Sequence, residues 1–287
     1  MRVALFITTT VGDNMKAFKG KTAVITGAAS GMGRALTLKL LSFGARVVAT
    51  DVNDDGLKAL AAEHAATGKL TTQQLDVTNR TAFTALIQDV AAKGSLDYLF
   101  NNAGIAITGE LKDNVESDWQ RTIDINQMGV LYGTLAAYEV MRAQGNGHIV
   151  NTASIAGLMP APMLTLYSMT KHAVVGLSLS LREEAKVYGV RVSAVCPGIV
   201  ETNIVGVDDM KKLKLGNGSP FDFIRSKTPV RPIPPEQAAE AILAGVARNL
   251  PEIIFPLHGK LAVSTFHNAR RIWELAVAPG LKMMRGQ

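Results

Sequence analysis

The feature that most restricts the fold of this sequence is a regular alternation of short β-branched segments with longer amphipathic ones. The β-branched and apolar runs predict strands at Thr22–Thr26, Arg46–Thr50, Leu70–Leu75, Leu96–Phe100, His148–Thr152, Val190–Val195 and Glu252–Phe255. Helical periodicity predicts helices between them, at Gly31–Phe43, Asp54–Ala66 and about 79–93, 115–144, 164–188 and 235–249. Strands separated by helices of this length form βαβ units, which predicts an α/β fold with a mostly parallel sheet and helices on both faces.

The alternation runs without a linker, so we predict a single doubly wound Rossmann domain over residues 19–258. Residues 1–18 are interpreted as an N-terminal extension, in which Met15 is an alternative start to Met1. Residues 198–234 are rich in glycine and proline and contain no clear strand. Long irregular segments inside compact domains are usually functional, which predicts a substrate lid at about 198–234. Residues 259–287 are interpreted as an amphipathic tail of the same domain.

Composition excludes several classes of protein. The chain is 47% hydrophobic and 19% charged, which excludes a disordered chain. The lone Cys196 excludes an internal disulfide framework and fits a reducing compartment, so we expect a cytoplasmic location. No apolar run reaches the roughly 18 residues of a membrane span. The histidines His64, His258 and His267 are not grouped as ligands, and no metal site is expected.

The net charge of +6 suggests a polyanionic partner until its distribution is considered. Residues 1–204 hold 18 basic and 17 acidic residues, whereas residues 205–287 hold 12 and 7. The basic residues of the last third are dispersed, which favours a solvated surface, and we expect no nucleic-acid partner. The basic, amphipathic tail leaves peripheral membrane contact open, although packing within or between subunits is the favoured interpretation.

A glycine-rich turn, TGAASGMG at residues 26–33, follows the first predicted strand and precedes the first predicted helix. Such a turn admits close backbone approach, and the helix N-terminus offers free N–H groups to a pyrophosphate. Asp51 ends the second strand, 24 residues after Gly27, where a carboxylate accepts hydrogen bonds from ribose hydroxyls. Because a carboxylate repels a 2′-phosphate, NAD is favoured over NADP. Asp76 and Val77 follow the third strand beside the expected adenine, with a turn or helix-cap role for Asp76 as the alternative.

Tyr167 and Lys171 lie four residues apart on a predicted helix and therefore share one face. A free phenol has a pKa near 10, and a nearby cation lowers that pKa toward the working range of an acid or base. Ser154 follows a strand 13 residues before Tyr167, at the sheet edge where open α/β folds bind ligands. On spacing alone, an ordinary helix face is the favoured interpretation, because a tyrosine and a lysine four residues apart are common.

Several motifs together resemble one family. TGAASGMG at 26–33, Asn101-Asn102-Ala103-Gly104, Asn126, Ser154, Tyr167-x-x-x-Lys171 and Pro197-Gly198 occur in this order. The sequence from about residue 20 to 256 therefore resembles the short-chain dehydrogenase/reductase family. The resemblance implies that Tyr167 is the general acid/base and that Lys171 lowers its pKa and binds the nicotinamide ribose. It also implies that Ser154 orients the substrate oxygen and that Asn126 holds a water of a proton relay.

The resemblance also implies cofactor contacts along the edge of the sheet. The turn would lie along the path from adenosine to pyrophosphate, Asn102 and Gly104 would form the floor, and Thr202 would contact the nicotinamide carboxamide. The complete predicted set is Gly27, Ser30, Gly31, Met32, Gly33, Asp51, Asp76, Val77, Asn102, Ala103, Gly104, Tyr167, Lys171, Pro197, Gly198, Val200 and Thr202.

The residues near the expected substrate are apolar: Ile155, Ala156, Gly157, Leu158, Met159, Met163, Leu164, Ile199 and Val200. We therefore expect a lipophilic secondary alcohol or ketone as substrate, with an acyl-thioester ketone as the alternative within enzymes. A non-catalytic NAD-sensing module is the alternative outside them. Helices 115–144 and 164–188 are apolar around much of their circumference, which predicts a homo-oligomer, a tetramer or a dimer.

Overall fold

The computed structural model of the chain describes residues 16–202, 204 and 231–275. Its strands are β1 (Thr22–Thr26), β2 (Arg46–Asp51), β3 (Leu70–Gln74), β4 (Tyr98–Asn101), β5 (Gly147–Thr152), β6 (Val190–Pro197) and β7 (Glu252–Phe255). They form one seven-stranded sheet in the order β3-β2-β1-β4-β5-β6-β7, with parallel neighbours throughout. The order reverses between β1 and β4, which is where doubly wound sheets bind ligands. The predicted fold class is confirmed.

The helices cover both faces of this sheet. They are α1 (Gly31–Ser42), α2 (Asp54–His64), α3 (Arg80–Ala92), α4 (Glu116–Ile123), α5 (Gly129–Gln144), α6 (Thr165–Ala185), α7 (Pro235–Ala247) and α8 (Leu257–Asn268). Within the described ranges, no helix has the length and apolar character needed to cross a membrane. The predicted lid falls mostly on residues 203 and 205–230, the N-terminal extension mostly on residues 1–15, and the end of the tail on residues 276–287. All of these lie outside the described residues, so the domain boundaries stay predictions.

The strands bury side chains on both faces because successive residues point in opposite directions. On β1, Ala23 and Ile25 belong to a core that includes Leu36 of α1 and Ile242 of α7. The intervening Val24 belongs to a second core with residues of α3, α5 and α6, among them Phe83, Leu86, Ala137, Met141 and Ala185. Apolar residues at consecutive strand positions are therefore required by a sheet that is covered on both sides.

The prediction of one continuous helix over 115–144 is wrong in the middle. A π-helical segment, Asp124–Met128, separates α4 from α5. The side chain of Asn126 in this segment is bound to the backbone of Ile105 in the loop after β4. Apolar periodicity reports only the average spacing of apolar residues. It could therefore predict neither this tertiary contact nor the extra residue in the helical turn. Such bulges are frequent at functional sites.

Candidate active site

The glycine turn after β1 lies too close to neighbouring backbone to admit side chains at two of its positions. Gly27 has a φ of +68°, and a Cβ there would lie 2.9 Å from the Cα of Ala103. A Cβ on Gly33 would lie 2.0 Å from the carbonyl oxygen of Gly27. Ser30, at the N-cap of α1, makes no side-chain cap hydrogen bond, and the first turn of α1 contains no acidic residue. The N–H groups of that turn are therefore uncapped, which fits the phosphates of a dinucleotide.

Asn102 joins this turn to the end of β4. Its side-chain nitrogen donates to the carbonyl oxygen of Thr26 at 3.0 Å, and Thr26 Oγ1 accepts from the backbone N–H groups of Asn102 and Ala103. Asn102 Oδ1 is buried without a hydrogen-bond partner among the described residues. A buried acceptor without a partner costs free energy, so a donor from a bound molecule is an expected complement.

Asp51 lies at the end of β2 with its carboxylate held by backbone donors. Its Oδ2 accepts from the N–H of Ala29 at 3.0 Å, and its Oδ1 accepts from the N–H of Asn53 at 2.9 Å. Both oxygens keep a lone pair for a further donor. Asp76 Oδ1 accepts from the backbone and hydroxyl of Thr78, so the turn interpretation of Asp76 holds while the residue also lines the cleft described next.

A cleft of about 800 Å³ runs along this edge of the sheet. The predicted residues on its walls are Gly27, Ser30, Gly31, Met32, Asp51, Asp76, Val77, Asn102, Ala103, Gly104 and Thr202. Sequence reasoning missed one wall, which is made by Ser117, Gln120, Arg121, Asp124 and Ile125 of α4 and the π segment. The sequence places most of these residues on one polar helix face, but a polar face usually indicates exposure to solvent. Only the tertiary structure shows that this face lines the cleft.

A second cavity, of about 80 Å³, lies beside the first and collects the predicted catalytic side chains. Its lining residues are Met32, Asn102, Gly104, Thr152, Ala153, Ser154, Tyr167, Lys171, Pro197, Gly198, Val200, Thr202 and Ile204. Segments from β4, β5, α6 and β6 thus meet in one place. Of the predicted catalytic and cofactor-binding residues, only Gly33, which packs against Gly27, and the buried Asn126 line neither cavity. Of the apolar residues predicted near the substrate, only Val200 lines either cavity.

Tyr167, Ser154 and Lys171 are almost completely buried, with 8%, 8% and 2% of their surfaces exposed. Burial raises the pKa of Tyr167 to about 12, and a hydrogen bond with Ser154 acts in the opposite direction. Burial lowers the pKa of Lys171 to about 8. The Lys171 ammonium donates to the carbonyl oxygen of Thr152 at 2.8 Å and lies 5.4 Å from the centre of the Tyr167 ring. Displaced pKa values of this kind are typical of active sites.

Asn126 is fully buried behind Lys171. Its side chain accepts from the N–H of Ile105 and donates to the carbonyl of the same residue, both at 2.8 Å. A Cβ on Gly104 would lie 3.1 Å from Asn126 Oδ1 and 3.5 Å from Lys171 Nζ, so the three groups are close neighbours. Asn126 therefore ties the π segment to the loop after β4, and this structural role is compatible with a relay role.

Two further sequence expectations concern the lone cysteine and metal binding. Cys196 is fully buried in a small apolar cluster with Val174 and Ala194, and burial raises the pKa of its thiol. In the described part of the chain, no group of three or more His, Cys, Asp or Glu residues is arranged to hold a metal ion.

Comparison with known proteins places these features in a family. The family described as short chain dehydrogenase matches residues 21–212, which is more than half of the chain. The chain belongs to the short-chain dehydrogenase/reductase family. The matched range includes the glycine turn, Asn126, Ser154 and the Tyr167–Lys171 pair.

Individual members of the family show how far the similarity extends. A short chain dehydrogenase/reductase from Burkholderia phymatum, solved in complex with NAD, has 30% sequence identity and a TM-score of 0.76, covering 89% of this chain and 96% of that one. A 2-keto-3-deoxy-L-fuconate dehydrogenase from Xanthomonas campestris is 41% identical over 66% of this chain and 61% of its own length. A 3-alpha-(or 20-beta)-hydroxysteroid dehydrogenase from Mycobacterium tuberculosis is 39% identical over 64% of this chain and 70% of its own length. The chain is therefore an oxidoreductase of this family with a nicotinamide cofactor. The names of the two relatives indicate different substrates, a sugar acid and a steroid.

Proposed function

We propose that this protein is an NAD-dependent oxidoreductase that interconverts a lipophilic secondary alcohol and its ketone. The observation that carries the proposal is the junction of the two cavities. They share Met32, Asn102, Gly104, Thr202 and Ile204, so a dinucleotide in the larger cavity would end beside the phenol in the smaller one. The reaction requires the nicotinamide that exchanges the hydride and the phenol that exchanges the proton to lie close to the same substrate.

The glycine turn, the N-terminus of α1 and the unpartnered Asn102 Oδ1 would hold the dinucleotide. When bound, NAD exchanges a hydride with the reacting carbon of the substrate. Asp51 supports NAD over NADP, because its fixed carboxylate has lone pairs for ribose hydroxyls and a charge that repels a 2′-phosphate.

Tyr167 would transfer the proton at its hydroxyl oxygen, giving it to the ketone oxygen in reduction and taking it from the alcohol in oxidation. Ser154 is placed to orient that oxygen, since its hydroxyl is already in contact with Tyr167 and with the backbone N–H of Ala156 at 3.1 Å. Each of the two groups would thus supply one hydrogen bond to the same substrate atom. A positioned general acid of this kind typically contributes about 10²–10⁴-fold in rate.

Lys171 would stabilise the phenolate form of Tyr167. Its ammonium is buried, and one of its three donors binds Thr152, which leaves two for a bound ribose or water. Gly104 and Asn126 lie close to the ammonium. Asn126 keeps the Ile105 backbone in position there, which supports its proposed place in a proton relay through water.

The surroundings of Tyr167 support a lipophilic substrate. Tyr167 packs in a cluster with Ala106 and Ala156, and Ala161, Leu164 and Ile204 pack against that cluster. Apolar walls around a few convergent polar groups are typical of sites for apolar small molecules. The name of the hydroxysteroid dehydrogenase relative agrees with this class, whereas that of the fuconate dehydrogenase points to a polar substrate.

We also propose a cytoplasmic homo-oligomer. Trp119 on α4, Leu135 on α5 and Met169 on α6 are 41%, 44% and 46% exposed. These helices are the ones predicted from the sequence to need a second partner. Light scattering of the purified protein measures the oligomeric state directly.

The test of the proposed function is the formation of NADH from NAD with a panel of secondary alcohols that increase in apolar size. We expect turnover to improve with apolar size, and Tyr167→Phe to lower kcat by at least about 10²-fold while NAD binding is retained. Tyr188→Phe, at an exposed tyrosine outside both cavities, is the matched control. Unchanged turnover in Tyr167→Phe contradicts the mechanism, and faster turnover of small polar alcohols contradicts the substrate class.

A further inference from the structure

Among the described residues that line the large cleft, Arg121 is the one with a cationic side chain, and this side chain has no described partner. Asp51, Asp76 and Asp124 supply carboxylates to the same lining, and each accepts a hydrogen bond from a described neighbour. The guanidinium of Arg121 makes no hydrogen bond or ion pair with any described residue, although arginines elsewhere on the surface, such as Arg142, are paired. An unpaired arginine at the wall of a cleft is available to a ligand.

The position of Arg121 on α4 follows from how the next helix, α5, is attached. Gly133 of α5 packs against Asn101 at the end of β4, and Gly129 packs against Val77, just beyond β3. A Cβ on either glycine would lie less than 3 Å from these neighbours, so the helix is held tightly there. Arg121 precedes Gly129 by eight residues, on the other side of the π segment, and it lines the cleft at the carboxyl edge of the sheet.

Another part of the same cleft lining has the composition of an adenosine site. Asp51 and Val52 after β2, and Leu75, Asp76, Val77 and Thr78 after β3, line the same cleft. They offer apolar surface to a base and fixed carboxylates to hydroxyls, whereas the uncapped N-terminus of α1 lies farther along and suits the phosphates. A planar base resting on Val77 would share the cleft with Arg121, which belongs to the same lining.

We propose that Arg121 covers the adenine of the bound dinucleotide and is a further determinant of cofactor affinity in this protein. A guanidinium is planar and stacks on aromatic rings, and it keeps its charge at every physiological pH. The uncharged adenine ring, rather than a phosphate, is the group that Arg121 recognises. This proposal rests on the proposed function, because it takes the occupant of the cleft to be an adenine dinucleotide.

The experiment measures the equilibrium affinity of the purified protein for NAD, NADP, AMP, adenosine and nicotinamide mononucleotide, by calorimetry or by displacement of NADH fluorescence. We expect Arg121→Ala to weaken NAD, AMP and adenosine alike by about 3- to 10-fold, the range of a cation–π contact. Nicotinamide mononucleotide should bind unchanged. Arg121→Lys should recover only part of the affinity, because a lysine retains the charge without the planar group. Arg142→Ala, at an exposed arginine of α5 outside the cleft, is the matched control.

Three results would overturn the proposal. Affinity unchanged in Arg121→Ala would remove Arg121 from the site. A loss confined to AMP and NAD, with adenosine unaffected, would show that Arg121 binds phosphate. A larger loss for NADP than for NAD would show that it binds a 2′-phosphate. The proposed function fails separately, when NAD binds in an Arg121-dependent manner but no alcohol or ketone is turned over.

Discussion

The glycine turn after β1 and the pocket after β5 lie at the same edge of one sheet but are built in different ways. The turn is shaped by the absence of side chains, since a Cβ at Gly27 or Gly33 would meet backbone atoms. The pocket is shaped by buried polar side chains, with Ser154, Tyr167 and Lys171 in mutual reach. Recognition of a large flexible cofactor needs open backbone donors, whereas proton transfer needs a few side chains removed from water.

The difference between the two regions predicts different kinds of failure on mutation. Substitutions in the turn should impair cofactor binding and packing. Substitutions in the pocket should impair chemistry while leaving the cofactor bound.

The largest expected effect is that of Lys171→Met in the pocket. Methionine keeps most of the volume and removes a buried cation, so we expect kcat to fall about 10²–10⁴-fold while the melting temperature does not fall. Steady-state kinetics and calorimetry measure the two quantities. A variant that retains most of its kcat would contradict the role of the ammonium.

Gly33→Ala in the turn should act through packing. The new Cβ would lie 2.0 Å from the Gly27 carbonyl oxygen, so the turn must shift at a cost of about 1–3 kcal/mol, which is about tenfold or more in NAD affinity. Gly176→Ala is the control, because a Cβ at this α6 position meets nothing within 4 Å. Equal NAD affinity in the two variants would disprove the steric account of the turn.

Asp51→Ala should change the preference between NAD and NADP without altering the catalytic pocket after β5. Loss of hydrogen bonds to a charged group should weaken NAD by about tenfold. NADP should not weaken, because the repulsive charge is gone. Affinities for both cofactors, measured with the same preparation, check the ratio. If NADP weakens as much as NAD, Asp51 does not select between them.

Ser154→Ala should reveal the pKa of Tyr167. The hydrogen bond with Ser154 lowers this pKa, so its removal should raise the pKa further. Alcohol oxidation needs the phenol to lose its proton, and its pH–rate profile should therefore shift to higher pH. The profile of kcat against pH, compared with that of Gly176→Ala, measures the shift. A shift to lower pH would be the opposite of the expected sign.

The smallest expected effect concerns stability and pH. Burial lowers the pKa of Lys171 to about 8 in the folded chain, from 10.5 in the unfolded one. Between these values the unfolded chain binds more protons, so this group makes the free energy of unfolding rise with pH from 8 to 10.5. Lys171→Met should lack that contribution, which urea unfolding across the range detects. An identical pH dependence in both proteins would mean that Lys171 is not buried as a titrating group.

The turn was easier to predict from the sequence than the wall that faces it. Glycines at 27, 31 and 33 between a strand and a helix are a local signal, because the whole turn is formed by one short segment of the chain. The Tyr167–Lys171 spacing is also local, and its order with Ser154 and Asn126 identifies the family. Arg121 had no such signal, since a polar residue on a helix is interpreted as exposed unless its surroundings are known.

By itself, the sequence determined the alternation of strands and helices, the glycine turn and the order of the catalytic motifs, because each depends on residues close together in the chain. Only the tertiary structure decided the π segment at Asp124–Met128, the contact of Lys171 with Thr152 and the wall formed by α4. The physical reason is that these features arise where segments distant in sequence compete for the same buried space and the same hydrogen-bond partners. No local pattern records the outcome of that competition.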